Sequence, residues 1–501
     1  MQLYEKLNQE LRTYALLASS VEILTWDQEV CMPKPGVAHR AAAVGTLMGL
    51  LHQRLVERII PLLREAKHND SLGEMEKRSV EIFLEEAEPA EKLPPQLVQT
   101  FSEATSLAQA AWVEAKNSSN FSLFAPHLEK LIHLSRERAQ HLGYQEEPYE
   151  ALMRLYERSI TPSEMERIFA QVQPFLTETL RVCQENPVEG INGPNLALPT
   201  HTQRQLVEEV LTQLGYDLQR GRIDLSAHPF CSGFNPDDVR LTIRIYEEDL
   251  TMALGSALHE MGHAVYEQGL PREPIGWPIT MAASLSIHES QSRFWENHIG
   301  NTLPFWEYLY NRVLPRYAPS WLSTYTPLTL ARRVNRIKPH LIRIQSDEVS
   351  YHLHILLRFE LERALINGDL SLSDLPAAWN EKVSAYLGLT VPNDAEGVLQ
   401  DIHWAMGNFG YFPTYSLGSF YAAQFASAIS KSHPGWENLL KEGNGQVPLD
   451  WMRKHIHSHG KLYDSQTLCI RATGEPLSAR YFISYIQDKV SQLYEGLTVS
   501  V

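Results

Sequence analysis

The stretch GSALHEMGHAVYEQ, residues 255–268, places His259, Glu260 and His263 in the order H-E-x-x-H. Four residues along an α-helix return to nearly the same face one turn on, so His259 and His263 can aim two imidazoles at one ion. Glu260 lies about 100° round from His259, off the ligand face but within reach of a water held by the ion. Two nitrogen ligands and a general base are the core of a metal-assisted hydrolase. The motif is short enough to arise by chance in a chain with 20 histidines, so its surroundings must decide. Small Gly255, Ala257 and Gly262 lie beside it, and a strand-like pattern precedes it. An edge strand next to such a helix can pair with an extended peptide.

A catalytic metal needs a third protein ligand and an open position. The longer metzincin pattern would require a glycine at 266 and a histidine at 269, and Tyr266 and Gly269 exclude it. The run SIHESQSRFWEN offers Glu289 on a following helix, with His288 and Glu296 as rivals. On local grounds a solvated helix glutamate is the plainer account of Glu289. A set of two histidines and one glutamate, with one water, suits peptide or amide hydrolysis.

Helical patterns dominate the elements that must hold these residues. Residues 1–30 predict one or two amphipathic helices, broken by the prolines of DQEVCMPKPGVAHR, with helix resuming near Ala41 and running to about Glu91. Pro94 and Pro95 precede another helix. Thr161, Pro162 and Glu164 form a helix-start signal, with Thr161 as N-cap. Residues 185–199 predict a Gly/Pro/Asn loop long enough to be a working loop. Strand signal is confined to residues 239–245, where apolar and polar types alternate after the turn chemistry of GFNPDD, and a hairpin is expected. Helix returns at about Leu250. A proline-rich loop, LPREPIGWPIT, leads to a helix over roughly 282–297, and Pro339 opens a long helix reaching about Asn367. Residues 404–430 carry no charge, but their glycines, proline, tyrosines and serines would be unsatisfied in lipid. They predict a buried loop and then a helix, lining an internal cavity.

The chain has 501 residues and ordinary soluble composition, with 44% hydrophobic and 21% charged residues. Its net charge of -16, with no basic run, argues against nucleic acid and anionic membranes as partners. Cys31, Cys183, Cys231 and Cys469 form no C-x-x-C pair and are expected as reduced thiols. The N-terminal residues lack a basic region followed by a clean apolar stretch, so the cytoplasm is the expected compartment.

Several motifs occur together and in order. H-P-F is His228 to Phe230. D-x-R-x-T is Asp238, Arg240 and Thr242. H-E-x-x-H is followed by H-E-S-Q at His288 to Gln291. I-R-x-x-S-D is Ile342, Arg343, Ser346 and Asp347. G-x-x-Q-D-x-H-W is Gly397, Gln400, Asp401, His403 and Trp404. In these motifs, over most of its length, the chain resembles the thermostable carboxypeptidase (carboxypeptidase Taq) family of metallocarboxypeptidases. The resemblance implies a mainly α, saddle-like zinc-peptidase fold with a deep groove and one small antiparallel β-sheet near the active site. It implies Zn2+, or Co2+, one per subunit, at His259, His263 and Glu289, with Glu260 as general base and acid. It implies removal of C-terminal residues from peptides, and a homodimer. The expected organisation is one peptidase unit over 1–501 with two lobes, a helical region of about 1–200 and a metal-binding core of about 225–420.

The tetrahedral oxyanion needs hydrogen-bond donors, and His403, Tyr411 and Tyr415 of the uncharged segment are candidates; core aromatics with a satisfied polar tip are the plainer account. Exopeptidase action also needs a cation for the substrate carboxylate, and the planar fork of arginine suits it. Arg343 and Arg240 are the motif arginines, with His228 and Asp238 expected beside them at the substrate. Arg343 has Asp347 four residues on, so an i,i+4 ion pair is its structural alternative. Arg240 could face groove or solvent. Two other functions share these features: an oligopeptidase or endopeptidase on a related helical scaffold, and a metal-free binding protein. The intact His259, Glu260, His263 and Glu289 speak against the last.

Overall fold

A computed structural model describes residues 2–189 and 196–499. The middle of the expected working loop, residues 190–195, lies outside the described residues. Helices dominate, and strands among the described residues form a single three-stranded sheet. The chain makes two compact units, each assembled from three separate stretches. The first comprises Met1–Ala87, Gly193–Val334 and Tyr421–Pro476. The second comprises Glu88–Asn192, Asn335–Phe420 and Leu477–Val501.

In the first unit, residues Gln2–Val30 form one helix, and a 3-10 turn at Lys34–Gly36 separates it from the helix Val37–Arg54. Helix therefore resumes four residues before Ala41. Leu7, Leu11, Ile59, Leu63 and Val80 pack around Trp277 of the proline-rich loop. The Trp277 indole N–H donates to Asn8 Oδ1 at 2.9 Å, which lets so large a polar-tipped ring sit inside.

The expected hairpin is present as β2 (Cys231–Asn235) and β3 (Asp238–Ile243), paired antiparallel with a register irregularity between Gly233 and Asn235. The sheet as a whole is mixed, not antiparallel. A further strand, β1 (Gly221–Leu225), runs parallel to β3 on its other side, giving the order β1-β3-β2. Only five residues long and rich in charge, β1 carries little local signal, and pairing direction is set by a partner elsewhere in the chain. Val239, Leu241 and Ile243 of β3 are fully buried, and this strand packs on the helix Leu250–Gly269.

That helix starts where Asp249 accepts hydrogen bonds from Thr251 N at 3.0 Å and Thr251 Oγ1 at 2.7 Å. Such a cap contributes about 1 kcal/mol. Leu254, Ala257, Leu258, Met261, Ala264 and Val265 are buried, so the helix runs through the interior and holds its polar residues in fixed directions. The next helix, Leu285–Arg293, is capped by Ser284 and continues into a wider turn, Phe294–Gly300.

In the second unit the Thr161 cap forms as expected: its side chain accepts from Glu164 N at 3.2 Å, and Glu164 accepts from Thr161 N at 2.8 Å. The helix expected from Pro339 begins nine residues later, as Glu348–Asn367. Asp347 is its N-cap, accepting from Val349 N at 2.9 Å and Ser350 N at 3.1 Å. A side chain that satisfies two orphan amides outweighs a proline as a start signal. The uncharged segment is a run of turns and then the helix Pro413–Ser432, largely buried. No helix among the described residues is long and apolar enough to cross a membrane. All four cysteines are free.

Candidate metal centre

His259, His263 and Glu289 come together in the first unit, with their ligand atoms all within 4.8 Å of one another. His259 Nε2 lies 3.8 Å from Glu289 Oε2, and His263 Nε2 lies 3.7 Å from the same oxygen. The helix spacing supplies the two rings, and the helix Leu285–Arg293 brings the carboxylate across. Gly262 permits that approach. A Cβ there would fall 2.4 Å from Gln291 O and 2.5 Å from Ser292 Cα, so only glycine lets the two backbones lie this close.

The opposite ring nitrogens are occupied. His259 Nδ1 is 2.9 Å from Glu296 Oε2. His263 Nδ1 is 2.6 Å from His288 Nδ1, and His288 Nε2 is 2.8 Å from Glu267 Oε1. A Nδ1–H proton on each ligand histidine satisfies this network and leaves both Nε2 lone pairs aimed at Glu289. The rivals His288 and Glu296 thus stand behind the ligand rings, in the role that orients metal-bound histidines. Arg293 ties the carboxylates together, with Nε 2.8 Å from Glu289 Oε1 and Nη1 3.0 Å from Glu296 Oε2. Two imidazoles and a carboxylate, each fixed from behind, fit a catalytic divalent ion.

Burial would lower the pKa of His259, but the Glu289 and Glu296 carboxylates more than offset it and raise it to about 9, so an ion bound at Nε2 takes the place of a proton there. Burial, with His288 and His259 close by, pushes His263 well below its usual value. Glu260 is buried beside them, and burial pushes its carboxyl up to about 7.

The other motif residues divide between the units. In the first, His228 is exposed on the link between β1 and β2. Asp238 and Arg240 form a two-pronged pair at 2.8 Å and 2.8 Å. The Arg240 guanidinium lies 4.6 Å from the Trp26 ring centre and 4.9 Å from that of Phe234, so it is stacked and paired. In the second unit Arg343 does not pair with Asp347, because that carboxylate is committed to capping. It pairs with Asp401, at 2.9 Å from Nη2 and 3.2 Å from Nε, and donates to the Tyr351 hydroxyl at 3.1 Å. Arg358 reaches the other oxygen of Asp401 at 2.7 Å. His403 Nε2 lies 3.4 Å from the Tyr415 hydroxyl, and the Tyr411 ring is 5.4 Å from that of Tyr415, so all three oxyanion candidates share one cluster.

With the residues in place, comparison with known proteins is decisive. The sequence pattern described as carboxypeptidase Taq (M32) metallopeptidase matches residues 6–490. The chain belongs to that family. Membership makes it a metallocarboxypeptidase, a peptide hydrolase. Carboxypeptidase 1 of Bacillus subtilis is 36% identical over 489 residues, covering 97% of this chain and 97% of the relative. Thermostable carboxypeptidase 1 of Pyrococcus furiosus is 38% identical, covering 93% and 94%. Among solved structures, that of the Pyrococcus furiosus carboxypeptidase in an apo-Mg form superposes with a TM-score of 0.94 at 36% identity, covering 98% and 99%. The M32 carboxypeptidase of Deinococcus radiodurans superposes with 0.95 at 31%, covering 99% and 100%.

Within this M32 chain, sequence reasoning missed Glu267, Arg293 and Arg358. Arg293 sits one turn after Glu289, a spacing that could have suggested the pair. Arg358 lies in the apolar run HILLRFEL and is fully buried, and a charge among apolar neighbours was its signal. Burial raises a carboxyl, but the Arg358 and Arg343 guanidiniums overcome that and hold Asp401 far below the usual range. Burial lowers His403 to about 4, which keeps it neutral near pH 7.

Proposed function

We propose that this chain is a zinc-dependent carboxypeptidase of broad specificity, active with one ion per chain, for which Co2+ can substitute. The observation that carries the metal assignment is the set of three ligand atoms within 4.8 Å, with both Nε2 atoms aimed at one carboxylate oxygen. The bound ion supplies Lewis acidity, lowering the pKa of a water and polarising the scissile carbonyl. His259, His263 and Glu289 hold it.

Glu260 takes the proton of the attacking water and returns it to the leaving amine. Its location supports this: it is buried next to a ligand and off the ligand face. His403, Tyr411 and Tyr415 donate to the developing oxyanion. A neutral His403 keeps an N–H to give without adding a buried charge. Arg343 receives the substrate carboxylate. Two guanidiniums share the single carboxylate of Asp401, which favours an added anion there. Arg240, with Asp238 and His228, is the second choice for that contact. Peptides are the substrates, a homodimer the working form, and the cytoplasm the compartment, in keeping with four free cysteines.

The test uses zinc-loaded protein and a mixed peptide set, with free or amidated C-termini, read by mass spectrometry. Stepwise C-terminal loss from the free peptides is expected, with amidated ones resistant. The variant Glu260→Gln should retain its metal and lose turnover. Internal cleavage of both sets would convert the assignment to an oligopeptidase.

A further inference from the structure

Glu362 has no exposed surface, and a buried carboxylate is costly unless its oxygens are bonded. Here three donors from separate parts of the second unit converge on it. The Tyr149 hydroxyl, from the helix Pro148–Met153, donates to Oε2 at 2.8 Å. The Gly410 N–H donates to the same oxygen at 3.0 Å. The Trp404 indole N–H donates to Oε1 at 2.8 Å. Trp404 and Gly410 bracket most of the run of turns between the G-x-x-Q-D-x-H-W motif and the helix Pro413–Ser432.

The grip extends along one helix. Arg358, four residues before Glu362, holds Asp401 at 2.7 Å. The same face of Glu348–Asn367 therefore fastens residues 401, 404 and 410. Gly410 has φ +89°, and a Cβ there would lie 2.6 Å from Met153 N. Its backbone is consequently fixed against the helix that carries Tyr149. His403 sits inside the clamped run, Tyr411 immediately after it and Tyr415 one turn further.

We propose that Glu362 is a positioning residue for peptide hydrolysis: by anchoring Trp404 and Gly410 it fixes His403, Tyr411 and Tyr415 in the arrangement that serves the reaction. The proposal rests on the reading of those three residues as donors to the oxyanion. Glutamine is nearly isosteric with glutamate but would turn an NH2 toward one set of donors, so Glu362→Gln breaks the anchor without changing volume. A displacement of order 1 Å at a catalytic group costs about 100-fold in rate.

The experiment measures kcat, KM, metal content and Tm on the zinc enzyme for Glu362→Gln, Tyr149→Phe, Tyr411→Phe, Tyr415→Phe and the double variants with Tyr149→Phe. Tyr149→Phe removes one donor to Glu362 and guards against a Glu362→Gln that fails to fold. The expected result is a fall in kcat of about 10- to 100-fold for Glu362→Gln and a smaller one for Tyr149→Phe, with KM and metal content near wild type. The losses should be less than additive with Tyr411→Phe or Tyr415→Phe, since the anchor acts through those hydroxyls. If the two tyrosine variants lose activity while Tyr149→Phe lowers only Tm, Glu362 is structural and the proposal is overturned. If both tyrosine variants keep wild-type kcat, the oxyanion reading itself falls, and the positioning role with it.

Discussion

Glu289 uses its two oxygens differently. Oε2 faces both histidine nitrogens, while Oε1 accepts from Arg293. Glu296, seven residues on, touches the far side of the His259 ring. The two glutamates therefore act on the metal in different ways, and substitution should separate them. Glu289→Ala removes one of three ligands and should abolish stoichiometric binding. Glu296→Ala leaves the ligand set whole and frees one ring to turn, which typically costs about 10- to 100-fold in affinity. Titration against a chelator of known zinc affinity measures both. A larger loss from Glu296→Ala would move the third ligand from Glu289 to Glu296. The histidine pair is legible in the sequence because helical spacing fixes which side chains share a face, whereas Glu289 is locally one of three candidates on the following helix, and only the family resemblance singles it out. The groups behind them were less so. His288 and Glu296 stood out only as rival ligands, and Glu267 not at all, because the packing of one helix on another decides which polar neighbour reaches which ring nitrogen.

At the scale of elements, the metal geometry depends on how closely the helices Leu250–Gly269 and Leu285–Arg293 approach. Gly262→Ala places a Cβ against backbone atoms, and backbone cannot swing aside as a side-chain tip can. The helices must separate, at a cost of about 1–3 kcal/mol. Because Glu289 rides on the displaced helix, metal affinity should fall along with Tm. Gly255→Ala on the same helix is the control: nothing lies within 4 Å of its Cβ, and the change should be neutral or stabilise by up to about 1 kcal/mol. Gly262→Ala with unchanged affinity would show that helix spacing does not set the site. Most helices were readable from apolar periodicity and caps, as at Thr161. Two differences share a cause. The long helix is capped by Asp347 and does not start at Pro339: a proline is visible in sequence, whereas the two amides that Asp347 satisfies appear only once the backbone has turned. Strand β1 was missed because its parallel partner is supplied from beyond the following hairpin strand.

Across the whole molecule, all the metal ligands belong to the first unit, while Arg343, His403, Tyr411 and Tyr415 belong to the second. The chain as a whole carries a net charge of -16 and so repels an anionic peptide terminus at long range. Ionic screening limits that repulsion to about 8 Å at physiological salt, and capture must come from a local cation. Arg343 is buried against Asp401, with Arg358 on the carboxylate's other oxygen. If Arg343 also bonds the substrate carboxylate, losing one partner of that charged pair costs about 2–5 kcal/mol. Arg343→Ala should then lower kcat/KM on free-carboxylate peptides by about 30- to 5,000-fold, and change little on amidated ones, which lack the group it serves. Metal content should be unaffected. Stability should fall as well, because Asp401 loses one of two cations in a buried place. Arg343→Lys separates the two effects: it keeps a charge beside Asp401 and should recover much of the Tm, but a point charge cannot replace the fork, so the discrimination between free and amidated peptides should stay impaired. If both substrates lose activity equally in Arg343→Ala and recover together in Arg343→Lys, Arg343 only braces Asp401, and the carboxylate contact passes to Arg240.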